Sequence, residues 1–203
     1  MIKRSINFVK RNVKKHIFGM SDENPNIREF RIKGVQYAGQ LYINGEIYIE
    51  NKGHIQIGQN FQANSGVNNN PIGGDTVLRL ITVNENAKII IGDDVGISNS
   101  TILAWEKIEI GNKVMIGGGV KIWDTNFHSL DPILRTTAPD TDVKTAPIKI
   151  DDYAFIGAGS IIMKGVHIGK NSIIAAGSVV VKNIPANVIA GGNPCRVIKP
   201  LNI

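Results

Sequence analysis

A chain of 203 residues with a 42% hydrophobic share is long enough to bury one domain's core, and its 23 basic against 17 acidic residues give a formal charge of +6. That charge is local: Lys3, Arg4, Lys10, Arg11, Lys14 and Lys15 fall in the first twenty residues, which hold no acid, and the other 17 basic residues balance the 17 acids, so nucleic acid is not an expected partner. No apolar stretch approaches the ~20 residues of a membrane span, charges interrupt any signal-peptide core, and one cysteine cannot form an internal disulfide, so a cytoplasmic protein is expected, with peripheral contact at the inner membrane face as a variant.

In residues 1–20, Ile2, Ile6, Val9, Val13 and Ile17 recur at helical spacing, which predicts a basic amphipathic helix. Capping the open end of a repeat protein is its favoured use, and lying on an anionic membrane is the alternative. Residues 21–40 read as a lead-in. From residue 41 the alternation of Leu41, Ile43, Ile47, Ile49, Ile55 and Ile57 predicts strand-like coils. The pattern is lost over 62–90, where Asn-Asn-Asn-Pro and Gly-Gly mark a loop, with Val77 to Val83 reading as strand again.

Beyond that loop the period becomes six. Aliphatic residues fall at Ile91, Ile97 and Leu103, then, after one added residue, at Ile110, Ile116 and Ile122, and then without a slip at Ile150, Ile156, Ile162, Ile168, Ile174 and Val180. Neither a helix nor a half-buried strand has that period, so the chain is expected to be a solenoid with three hexads to a triangular coil. Glycine follows the aliphatic at Gly58, Gly92, Gly111, Gly117, Gly157 and Gly169, where positive φ and the missing Cβ are both of use in a tight corner. Residues 124–147 interrupt good hexads with a polar run holding three of the eight prolines, and are expected to form a loop thrown outward from a rigid coil.

The hexads, the stretch Trp123-Asp124-Thr125-Asn126-Phe127-His128-Ser129-Leu130-Asp131-Pro132 and the ending Ala190-Gly191-Gly192-Asn193-Pro194-Cys195-Arg196-Val197-Ile198 resemble the hexapeptide-repeat acetyltransferases. The likeness is to the branch of galactoside and maltose acetyltransferases and of the sugar O-acetyltransferases of surface-polysaccharide synthesis; it covers about residues 90–199, and weakly 41–61. It implies an all-β chain, a left-handed parallel β-helix over 41–198, working as a homotrimer with sites between subunits and using acetyl-CoA as co-substrate, with no metal. Handedness comes from the resemblance, since hexad spacing cannot show it.

The resemblance implies that His128 is the general base that takes the proton of a sugar hydroxyl as it attacks the thioester; an imidazole, which titrates near neutrality, suits the task. Asn99 corresponds to a region lining the acceptor and acetyl site, where its amide would hold the hydroxyl or steady the oxyanion; stacking in a corner for structure alone is the other reading. Phe155 falls where relatives have an aromatic beside the acceptor, or it packs in a core or interface. Asp124 and Asp131 flank His128 and could orient its ring or cap the loop, and Asp124 is also placed among the acceptor contacts. For the donor, Ala158 and Ala176 would meet the pantetheine arm through backbone groups, Val181 would lie beside it, and Lys182, Arg196 and Lys199 would meet the phosphates. Ala158 and Val181 stand where the galactoside enzymes carry hydroxyl residues, and Lys199 where they carry arginine. Trp105, Trp123 and Cys195 are expected to pack, and His16, His54 and His167 to lie on the surface. Transfer to a sugar amine, and a non-catalytic binding role, are the rival functions.

Overall fold

The computed structural model describes residues 24–202, so the helix expected over 1–20 lies outside the described residues. Short strands stack into sheets of six, eight and six strands, which form the faces of a left-handed triangular solenoid. All pairings are parallel except the last, where Val188–Gly191 meets Arg196–Pro200 antiparallel. The register follows the aliphatic frame: Ile91, Ile110, Ile150 and Ile168 stack on the first face, Ile97, Ile116, Ile156 and Ile174 on the second, and Ile102, Ile122, Ile162 and Val180 on the third. All twelve are buried. At roughly 1.5 to 3 kcal/mol per buried aliphatic side chain, these columns hold the coils together.

The frame differs from the sequence pattern at one position. Ile102, not Leu103, points inward and pairs with Ile122, while Leu103 pairs with Trp123 and is only half-buried. The cause is the corner Asn99-Ser100, one residue shorter than the corner Gly117-Gly118-Gly119 of the next coil.

The glycines after the aliphatics serve packing rather than positive φ. A Cβ at Gly58, Gly111 or Gly157 would lie 2.3 to 2.5 Å from an atom of the coil below, so a side chain there would force the coils apart. The left-handed turn at the corner from first to second face is instead made by Asn60, Asp94, Lys113, Tyr153, Asn171 and Asn187, all with φ between 55° and 62°. Asx side chains bond the stack: Gln59 N donates to Asp93 at 2.7 Å, Asp93 N to Asn112 at 2.8 Å, and Asn112 N to Asp152 at 2.7 Å.

The interruption expected over 62–90 shrinks to 65–77, because Phe61–Asn64, Leu78–Thr82 and Lys88–Ile91 are regular strands of the coils on either side. After Asp124 the chain leaves the coil: Thr125 and Thr145 bridge the neck of the excursion, and Ile148–Ile150 resumes the first face. In the lead-in, helix α1 (Pro25–Ile32) starts at an Asn24 cap with Pro25 at its first position, and lays the buried Phe30 on the end of the core. Among the described residues, α1 is what closes this end.

Candidate active site

The loop that carries His128 is anchored at its root by a carboxylate. Asp124 follows strand Lys121–Trp123 and is fully buried; it accepts from the backbone N–H groups of Trp105, Glu106 and Lys107 at 2.7, 2.8 and 2.7 Å. Burial raises its pKa despite those bonds. It fixes the corner of the preceding coil, so it does not face an acceptor or orient His128 as the sequence suggested. Asp131 does not orient the ring either: its side chain caps helix α2 (Pro132–Thr136), accepting from Ile133 N at 2.8 Å and Leu134 N at 3.2 Å.

His128 is held by a residue the sequence did not single out. Its Nδ1 lies 3.1 Å from Asp140 Oδ2, and both carboxylate oxygens of Asp140 accept from Ser129 N, at 3.1 and 3.2 Å. Ser129 is buried, and its carbonyl accepts from Arg135 at 3.0 Å. With Asp140 as the acceptor, the neutral tautomer that fits this pair has its proton on Nδ1 and its lone pair on Nε2. Nε2 has no partner among the described residues, and the side chain is 68% exposed. The ring is thus held at Nδ1, with Nε2 turned toward solvent. Asp140 is twelve residues away along a polar loop, and no spacing rule marks it out.

Asn99 is 1% exposed and both its amide atoms are committed. Oδ1 accepts from Gly66 N at 2.6 Å and Nδ2 donates to the carbonyl of Asn70 at 3.0 Å, so the side chain ties loop 65–77 down onto the corner. The direct contact with acceptor or oxyanion that the sequence suggested is not available in this arrangement, because the loop lies over the amide.

The donor candidates divide between two corners. Val181 and Lys182 follow strand Val179–Val180 at the end of the third face from which the His128 loop departs, two coils further along. Ala158 and Ala176 sit at the opposite end of that face, where the second face turns into the third. There Ala158 O accepts from Gly177 N at 2.8 Å, and Ala176 is exposed. Arg196 and Lys199 are exposed on the terminal antiparallel strand, with Arg196 donating to Cys195 O at 2.8 Å. Cys195 is buried, which pushes its thiol pKa up and leaves it a packed side chain, as expected.

The outer surfaces differ in chemistry. The second face exposes Tyr42, Met115 and Phe155, and a cavity of about 210 Å³ lies there between Gln62, Asn64, Ser98, Met115 and Phe155. The third carries Ile81, Leu103, Trp123, Met163 and Val181 at least partly open. The first face is charged and internally paired. Lys107 meets Glu109 at 2.7 Å, and Asp151 meets Lys149 at 3.0 Å and His167 at 2.7 Å. The larger concavity, about 360 Å³, opens on this first face. Of the charges around it, Lys149 pairs with Asp151, Glu109 pairs with Lys107, and Lys170 lies over the Tyr153 ring.

Fold and repeat together define the class of molecule. Residues 147–182 match the family of the bacterial transferase hexapeptide (six repeats). Over 104 residues the chain is 43% identical to a galactoside O-acetyltransferase of Lactococcus lactis, covering 51% of this chain and 48% of that one, so the chain spans about half the length of this curated relative. Among solved structures it is similar to a maltose O-acetyltransferase from Clostridium difficile, with 27% identity, a TM-score of 0.55, and coverage of 95% of this chain and 84% of the other. The N-acyltransferase AntD from Bacillus cereus, in complex with dTDP and 3-hydroxybutyryl-CoA, shares the fold at a TM-score of 0.68 and 23% identity, over 87% of this chain and 88% of that one. The resemblance to hexapeptide-repeat acetyltransferases thus holds in repeat, in sequence and in fold.

Proposed function

We propose that the protein is an acetyl-CoA-dependent O-acetyltransferase acting on a sugar hydroxyl, in the assembly of a surface polysaccharide. The observation that carries this reading is His128, oriented by Asp140 with Nε2 open, on a loop that leaves the coil stack at a corner shared with Val181 and Lys182. The acceptor oxygen attacks the thioester carbonyl, the C–O bond forms, and the C–S bond breaks. The hydroxyl proton passes to Nε2 and from there to the CoA sulfur. No covalent intermediate on the protein is required. Asn99 contributes by holding loop 65–77 in place.

The working form in this proposal is a homotrimer. A single chain places Ala158 and Ala176 at one edge of the third face and His128 with Lys182 at the other. In the proposed trimer one CoA meets both groups in a groove between two chains. Second and third faces carry the exposed apolar side chains such docking needs, whereas the first is marked by paired charges. The donor then lies with its phosphates near Lys182, Arg196 and Lys199 and its pantetheine rising past Ala176 and Ala158.

The test is turnover of acetyl-CoA with a panel of free hydroxyl sugars and amino sugars. His128→Ala should lower kcat by roughly 10² to 10⁴ with little change in CoA affinity. Near-normal turnover in the folded variant would sink the assignment of the base. Acetylation of amines alone would replace O-transfer by N-transfer.

A further inference from the structure

Loop 65–77 lies where the donor's acyl end would arrive. It leaves the corner between second and third faces at Ser65 and folds along that corner over the next two coils. At the first of these it is tied to Asn99, through Gly66 N and the Asn70 carbonyl. At the second it presses on Gly118: a Cβ there would meet Asn70 Oδ1 at 2.7 Å and both N and Cα of Gly73 at 2.8 Å. Gly73 is itself packed so that a Cβ on it would lie 2.3 Å from the Asn99 Cβ. Both glycines are buried.

The loop is internally bonded as well. Gly73 N donates to Asn70 Oδ1 at 2.9 Å, Asn69 Nδ2 to Ser65 O at 2.8 Å, and Asn70 N to Gly66 O at 3.1 Å. One and two coils beyond Gly118 the corner is open, with Gly159, Ala176 and Gly177 exposed and Ala158 half-exposed.

We propose that Asn70–Gly73 is the stop that ends the acyl pocket and confines the donor to short acyl thioesters, acetyl above all. The proposal rests on the donor placement given above. A pantetheine rising past Ala176 and Ala158 brings its thioester to the level just short of Gly118, and further acyl carbons would have to continue over Gly118, where the loop already makes contact. An acetyl methyl ends before that point. A butyryl chain adds two carbons in the closed direction, and close-packed groups give way to added methylenes only at a cost.

Binding of the donor alone tests this without an acceptor. Calorimetry on the full chain with CoA, acetyl-CoA and butyryl-CoA should show similar affinity for the first two and at least about tenfold weaker binding of the third, the discrimination usual for extra methylenes against a closed pocket. A variant with residues 67–74 replaced by two glycines should bind all three alike. Asn70→Gly, which loses the bond to Gly73 N, should move in the same direction by less. Equal binding of acetyl-CoA and butyryl-CoA to the natural chain overturns the stop while leaving the donor site standing. Unchanged discrimination in a folded, shortened-loop variant also overturns it. Absence of heat with CoA itself removes the donor site and the stop together.

Discussion

Asp140 Oδ2 stands 3.1 Å from Nδ1 of His128, and the same carboxylate is held by the backbone N–H of Ser129, the residue next to the histidine. The acid therefore moves with the loop that it orients. If His128 is the base, as proposed, this carboxylate holds the tautomer whose Nε2 accepts the proton and lies beside the imidazolium that would form. Asp140→Ala should cost about ten- to a hundredfold in kcat, part of the loss expected for His128→Ala, and should leave the KM for acetyl-CoA unchanged. Asp140→Asn should do as badly, because its amide NH₂ can present a donor to Nδ1–H. Recovery by Asp140→Glu would separate a charge role from simple loop structure. An unchanged kcat in the alanine variant would leave His128 without an orienting partner.

The donor groove predicts a different signature. Lys182→Ala with Arg196→Ala should weaken acetyl-CoA binding and flatten its dependence on salt, since exposed charges attract phosphates through a screened field. The kcat at saturating donor should change little. Calorimetry showing unaltered CoA affinity in the double variant would move the donor elsewhere.

If one CoA bridges the two corners across neighbouring chains, as proposed, activity should depend on assembly. Light scattering should find a trimer, and a charge placed in the apolar second face, Met115→Glu, should yield monomers that have lost turnover while keeping the melting behaviour of a folded solenoid. Monomers with full activity would contradict the shared groove.

Much of this architecture could be read from the chain because a repeat states its own register. Each Ile of 150, 156, 162 and 168 tests the same frame, so thirty residues fix which side chains are buried. The six-residue spacing points to Leu103 where the fold buries Ile102, because a shortened corner leaves no mark in the aliphatic run Ile102-Leu103. The site was less legible, since His128 is given by a local motif while its partner Asp140 is set by the tertiary path of a polar loop. Asp124 shows the reverse error. Its place beside the histidine loop suggested substrate, yet three unpaired N–H groups in the coil above needed an acceptor.

That last relationship predicts stability rather than activity. Asp124→Asn keeps the shape of the side chain but turns an NH₂ toward N–H donors, leaving at least one of the three backbone groups buried without a partner. An unsatisfied buried donor costs about 1 to 3 kcal/mol, which in a chain of this size lowers Tm by roughly 2 to 12 °C. Asp124→Ala should do no better. A calorimetric Tm within a degree of the natural protein would show that water or a rearranged corner replaces the carboxylate.

The basic stretch before the described residues can be tested separately from the catalytic site. Since α1 and Phe30 already close the end of the core, the six cations of residues 1–20 suit an anionic lipid surface, where each Lys or Arg near the surface contributes about 1 kcal/mol. Full-length protein should co-sediment with vesicles rich in phosphatidylserine, release as salt rises, and ignore phosphatidylcholine vesicles. Removal of residues 1–20 should abolish that binding while turnover of a soluble acceptor and Tm stay as they were. A truncated protein that aggregates, beside an intact one that ignores both kinds of vesicle, would assign the segment to the solenoid's end instead.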